Sequence, residues 1–199
     1  MTDLFGGAEL GGTKCILAVA ENPINTIKRI EIPTETPRKT LKNIFDFFSN
    51  YKLNGIGIGT FGPIILDKPS RDYGLLISDS KKGWKGTNIF AEFKSNLDVM
   101  VNIDTDVNAA AIGEYNYGAG KACSTLVYVT IGTGIGGGVL INGKPHTGSF
   151  HLEMGHMQVP NPDNFQGICR IHGDCWEGIA SGPSIEVRCG VPSSELPES

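Results

Sequence analysis

Leu4-Phe5-Gly6-Gly7-Ala8-Glu9-Leu10 runs into Gly11-Gly12-Thr13-Lys14 and out through Cys15-Ile16-Leu17-Ala18-Val19-Ala20. Apolar residues on either side of a glycine cluster read as a strand, a tight turn and a second strand. The same pattern returns at residues 126–141. Leu126-Val127-Tyr128-Val129-Thr130-Ile131 leads through Gly132-Thr133-Gly134 to Gly136-Gly137-Gly138-Val139-Leu140-Ile141. A unit that occurs twice points to two similar α/β subdomains, each presenting a glycine turn. Two such turns facing one cleft can hold a chain of phosphates with backbone N–H donors. Two ordinary hairpins explain the pattern equally well at this point.

Between the two units, a third strand is expected over 27–32. Thr36-Pro37 opens a helix reaching about Tyr51, with Leu41, Ile44, Phe45 and Phe48 along one face. A short buried strand covers 54–60 and leads into Phe61-Gly62-Pro63. Residues 66–87 read as irregular. A helix over 88–96, a strand over 99–104 and a helix over 107–115 follow.

The chain has 199 residues, a net charge of −4, 40% hydrophobic and 19% charged residues, a composition that supports a folded core. The slight acidity argues against nucleic acid or an acidic membrane as partner, since both need a basic surface. No apolar run approaches about 18 residues. The first ten residues lack the basic start of a signal peptide. Five cysteines without an export signal suggest a reducing, cytoplasmic setting. The 27 glycines lie in short clusters between β-rich runs, which marks turns or close approach to a ligand.

Metal-ligand spacing is the strongest chemical signal. His156 precedes Cys169-Arg170-Ile171-His172-Gly173-Asp174-Cys175, so two of the five cysteines and two of the four histidines fall between 156 and 175. Four N/S ligands close a tetrahedral zinc site with no position for water, which makes it structural. The intervening stretch has little core of its own, and such loops gain their order from the metal.

Asp104-Thr105-Asp106-Val107-Asn108 stands at a strand end before a helix. Two carboxylates two residues apart there can project to one side, and one could accept a hydroxyl proton in phosphoryl transfer. Asp106 is equally a good helix N-cap, and spacing alone favours the cap. In His151-Leu152-Glu153-Met154-Gly155-His156 the histidines are too far apart for the metalloprotease motif. Glu153 and Glu177 are candidate acceptors for sugar hydroxyls, against the alternative of solvated surface carboxylates. Lys14 is not a P-loop lysine, because its glycine turn joins two strands. His146, Cys15, Cys123 and Cys189 have no partner the sequence identifies.

These residues together resemble the ROK family of sugar kinases and repressors, and within it the bacterial fructokinase branch. The stretches that carry the likeness are 9–14, 59–64, 104–111, 131–138, 151–156 and 169–183. The resemblance implies an α/β, actin-like ATPase or ribonuclease H-like fold of two lobes, residues 1–117 and 118–199, the second incomplete. It implies ATP-dependent phosphorylation of D-fructose to fructose 6-phosphate, with Mg²⁺ on the phosphates. Asp106 becomes the general base, in place of a mere cap. Asp104, Glu153, Glu177, Gly62 and Pro63 become sugar-binding, and Gly11, Gly12, Thr13, Lys14, Gly132, Thr133 and Gly134 flank ATP. His156, Cys169, His172 and Cys175 hold zinc.

Family members carry a longer second lobe, so this chain alone is expected to have little or no kinase activity. Sugar and nucleotide are the implied partners, and a homodimer is left open. The rival readings are a sugar-responsive regulator and a non-catalytic, zinc-ordered sugar-binding fragment. With the first strand starting near Leu4, no helix-turn-helix is expected before it.

Overall fold

The computed structural model describes residues 2–147 and 151–196. The first glycine unit forms β1 (Phe5–Leu10) and β2 (Lys14–Ala20), which pair antiparallel with Leu10 opposite Cys15. β3 (Thr26–Pro33) continues the meander against β2. β4 (Gly55–Thr60) then lies parallel to β1, and β5 (Met100–Thr105) parallel to β4, giving the order β3-β2-β1-β4-β5. Parallel pairing needs crossovers. α1 (Pro37–Phe48) lies on the way to β4 and α2 (Ile89–Asn96) on the way to β5.

Inward positions of β1 and β2 alternate, burying Ala8, Leu10, Cys15, Leu17 and Val19. α1 lays Leu41, Ile44 and Phe48 onto that core, and Phe93 of α2 meets Phe45 edge to face. The stretch over 66–87 is irregular as expected, yet it is anchored. Trp84 is fully buried and donates its indole N–H to the Glu35 carbonyl at 2.9 Å. Isolated bridges join Ile64 to Leu76 and Leu75 to Asn88.

α3 (Asp106–Tyr117) starts where β5 ends, and β6 (Thr125–Ile131), β7 (Ile135–Ile141) and the two-residue β8 (Lys144–Pro145) form a second antiparallel sheet. The glycine run 136–138 is explained by α3. A Cβ on Gly136 would lie 2.9 Å from Val107 Cγ1, and one on Gly138 would lie 2.5 Å from the Val107 carbonyl oxygen. Glycine therefore lets β7 press directly against the first turn of the helix that carries Asp106. Gly138→Ala is expected to force the two apart and cost about 1–3 kcal/mol. A lower urea midpoint with an unchanged slope checks this.

Sequence reading missed a 3-10 turn at Met154–His156 and two short helices, α4 (Trp176–Ala180) and α5 (Gly182–Cys189). The helical ends it placed elsewhere are off by a few residues, as at α1, which stops at Phe48 and not near Tyr51. No helix among the described residues is long and apolar enough to cross a membrane.

Candidate active site and metal centre

Asp106 is the first residue of α3, not its cap. The cap is Thr105, whose hydroxyl accepts from the Asn108 N–H at 3.2 Å. The capping role that spacing favours for Asp106 thus falls one residue earlier, because Thr105 ends β5 in an extended conformation suited to N-capping. This leaves the Asp106 carboxylate free of that duty. It accepts from the neighbouring Val107 N–H, at 2.9 Å. Burial raises its pKa above the ordinary carboxylate range; the Val107 N–H lowers it, Glu9 raises it further, and His151 lowers it. A Cβ on Gly59 would lie 3.2 Å from the Asp106 Cα, so the glycine in β4 makes room for the helix start.

Asp104, one residue before the end of β5, is tied down differently. Its Oδ1 accepts from the Asn108 side-chain amide at 2.7 Å and from the Thr105 N–H at 2.8 Å. The carboxylate also lies within electrostatic reach of Tyr73, whose pKa rises first through burial and then through Asp104.

Glu153 takes a left-handed backbone conformation (φ 47°) at the entry to the Met154–His156 turn. Its Oε1 lies 3.3 Å from His151 Nδ1, and a Cβ built on Gly62 would come 3.6 Å from the same oxygen. His151 thus contacts Glu153 directly and lies within electrostatic reach of Asp106. Next to Gly62, Pro63 accepts at its carbonyl from the Ile77 N–H at 3.1 Å. His151 was not singled out by sequence reasoning, and no spacing signal would have found it. Glu177 is placed at the second glycine turn, where its Oε2 accepts from the Ile135 N–H at 2.9 Å.

The two glycine turns share a design. Gly11 N–H bonds the Lys14 carbonyl at 3.0 Å, and Gly132 N–H bonds the Gly134 carbonyl at 2.9 Å. The first glycine of each therefore closes its own turn. Among the described residues, the N–H groups of Gly12, Thr13, Thr133 and Gly134 have no intrachain partner. Lys14 pairs with Glu31 at 2.8 Å, but both side chains are about half exposed. Exposed pairs contribute about 0–1 kcal/mol, so an anion can compete for the ammonium.

The four metal-ligand candidates do come together. One donor atom from each of His156, Cys169, His172 and Cys175 lies within 4.8 Å of the others. Cys169 Sγ is 3.8 Å from His156 Nδ1 and 3.9 Å from His172 Nδ1, and Cys175 Sγ is 3.6 Å from His156 Nδ1. Zinc bonds of about 2.3 Å to sulfur and about 2.0–2.1 Å to nitrogen, at tetrahedral angles, put neighbouring ligand atoms about 3.3–3.8 Å apart. The donor set fits zinc in its chemistry, and the three sulfur–nitrogen spacings lie within a few tenths of an ångström of those a bound zinc would set. The Cys169–Cys175 knuckle is closed by paired backbone bonds between Cys169 and Gly173, and Gly173 takes the positive φ of 63° that its turn requires.

The His/Cys cluster and Glu153 share one turn. Gly155, between Glu153 and His156, sits where a Cβ would be 1.8 Å from the Ile135 carbonyl oxygen. His156 N–H returns to the Glu153 carbonyl at 2.9 Å. Whatever fixes His156 therefore fixes the presentation of Glu153.

The ROK family profile matches residues 5–198. The chain belongs to the ROK family. It is 43% identical over 199 residues to the fructokinase of Lactococcus lactis subsp. cremoris, covering 98% of this chain and 68% of that one. To the fructokinase of Zymomonas mobilis it is 41% identical, covering 97% and 67%. Against the ROK glucokinase of Streptomyces griseus, solved with glucose and AMPPNP, the TM-score is 0.75 at 28% identity, covering 92% of this chain and 58% of that one. The two-sheet α/β architecture of this ROK chain is therefore that of the family's actin-like sugar kinases, with part of the second lobe represented. The chain spans 65–68% of the length of the first curated relatives it matches.

Proposed function

We propose that this ROK chain forms the sugar-binding and phosphate-facing part of an ATP-dependent fructokinase. Residues 1–117 and 118–199 act as its two lobes. The observation that carries the reading is the half-buried Asp106 carboxylate at the start of α3, within electrostatic reach of His151, which is itself in contact with Glu153. Asp106 takes the proton of the attacking sugar hydroxyl. Its raised pKa brings it nearer the basicity a general base needs at neutral pH. Glu153, with Gly62 and Pro63 alongside, receives other hydroxyls of the sugar. Asp104 holds Asn108 and keeps the start of α3 in register, while Glu177 fixes the second glycine turn from the far side.

ATP enters as its Mg²⁺ complex. The free N–H groups of Gly12, Thr13, Thr133 and Gly134 and the Lys14 ammonium are the donors offered to its phosphates. Phosphoryl transfer asks for little covalent chemistry from the protein and is driven by positioning and charge stabilisation. Zinc on His156, Cys169, His172 and Cys175 supplies fold order to the loop, not chemistry to the reaction.

Preference for fructose rests on the relatives called fructokinase at 41–43% identity, against 29% for the glucokinase of Streptomyces coelicolor. A coupled assay with D-fructose, D-mannose and D-glucose tests it, on this chain and on the chain extended to its relatives' length. The highest kcat/KM is expected for D-fructose. A higher value for glucose would move the chain to a glucokinase reading.

A further inference from the structure

His151 is the buried polar group that the kinase mechanism above leaves unused. Its side chain is only 7% exposed. Nδ1 is engaged twice, by the Glu153 N–H at 3.3 Å and against Glu153 Oε1 at 3.3 Å. Nε2 is buried and has no partner among the described residues, where it is the one such side-chain atom. A buried polar atom left unpaired costs more than a hydrogen bond returns, so such an atom marks a missing partner.

The identity of the partner follows from the chemistry of imidazole. If Nδ1 accepts from the Glu153 N–H, the neutral ring carries its proton on Nε2 and needs an acceptor. If Nδ1 donates to the Glu153 carboxylate, Nε2 is bare and needs a donor. A hydroxyl satisfies both cases, because it donates and accepts. The ionised carboxylates of Glu153 and Asp106, by contrast, only accept. They cannot tell a sugar hydroxyl from any other donor, whereas a buried ring nitrogen held against Glu153 adds a positional demand.

We propose that His151 is a specificity-determining residue of the sugar pocket, its Nε2 pairing with one hydroxyl of the bound sugar. The inference rests on the sugar-kinase reading and adds to it a third polar contact, fixed by Glu153. It makes Glu153 bifunctional: the residue binds sugar through its carboxylate and orients His151 through that carboxylate or through its own backbone N–H, according to the tautomer.

The test measures sugar affinity by titration calorimetry on the full 199-residue chain, with zinc content and circular dichroism recorded for every variant. His151→Asn keeps a group near Nδ1 but none at Nε2, and should weaken D-fructose binding about 10- to 100-fold. His151→Gln, whose amide nitrogen reaches the Nε2 position, should recover most of that loss. Among monodeoxy-D-fructoses, one should bind wild type and His151→Asn equally, because each lacks one half of the same pair. In wild type, ¹⁵N NMR of the imidazole should show D-fructose shifting the Nε2 resonance of His151, a readout that needs no variant to fold. Unchanged fructose affinity in His151→Asn, an equal loss across all deoxy sugars, or an unmoved Nε2 resonance overturns the proposal. If wild type binds none of fructose, mannose and glucose, the kinase reading fails and takes this one with it.

Discussion

In the chain extended to its relatives' length, replacing Asp106 by Asn is expected to lower kcat for sugar phosphorylation by about 10²–10⁴-fold while raising the unfolding temperature at neutral pH. The two effects have one cause. Burial, with Glu9 nearby, makes the ionised carboxylate costly to keep in the folded state, and so raises its pKa. The sign follows from linkage. Below the unfolded pKa, near the ordinary carboxylate value of 3.8, the group is protonated in both states and costs nothing. As pH rises the unfolded chain ionises first, and stability falls until the folded pKa is passed. Above it the deficit is constant. Asparagine has no charge to desolvate, so its gain in stability should be present at neutral pH and vanish in acid below about pH 4. Catalysis runs the other way, since the base must be ionised, and kcat should fall as pH drops through the raised folded pKa. Thermal unfolding and initial rates across pH 3–8 check both halves. A variant equally active, or destabilised at neutral pH, would mean that Asp106 is a structural group.

The second large effect concerns the metal. Purified chain is expected to carry one zinc, and Cys175→Ser, at a fully buried ligand, should lose it. Structural zinc binds with about 10–16 kcal/mol in small zinc-dependent folds. Even a fraction of that, about 2–3 kcal/mol of linkage at modest metal excess, lowers the unfolding temperature by roughly 5–10 °C in a chain of this size. The loss should be local first. Residues 157–174 have few buried apolar side chains and are held by side-chain bonds such as those of Asn161 to Phe165 and by the Arg188–Asp163 pair. Chelation should therefore open protease sites in this loop while the five-stranded sheet stays intact. Because His156 and Glu153 share one turn around Gly155, fructose affinity should fall together with the metal. Full fructose binding in a zinc-free chain would separate the two sites that the structure joins.

What the sequence made legible, and what it did not, follows from the range of the forces involved. Alternation around Gly11–Lys14 and Gly132–Gly134 is a local property, so both hairpins could be read directly. The zinc ligands could be read from their spacing, because a knuckle such as Cys169–Cys175 is itself a local structure. Helices α4 and α5 escaped notice because they are short, and Gly178, Gly182 and Pro183 interrupt any apolar period. The cap at Thr105 was misplaced by one residue, since Thr and Asp are both good caps and the choice depends on where β5 stops. Trp84 gave no sign that it anchors the irregular stretch, as its indole bond goes to Glu35, far away in the chain. His151 lay beyond reach for the same reason. Its isolation is a tertiary fact, visible only once the ring is buried against Glu153.

The most direct measurement is a crystal structure of this chain with D-fructose bound. The phosphoryl-accepting hydroxyl should lie about 2.6–3.2 Å from an Asp106 oxygen, with Glu153 on other hydroxyls of the same molecule. Fructose seated elsewhere, or seated there with Asp106 out of hydrogen-bonding reach of that hydroxyl, would contradict the role assigned to this carboxylate.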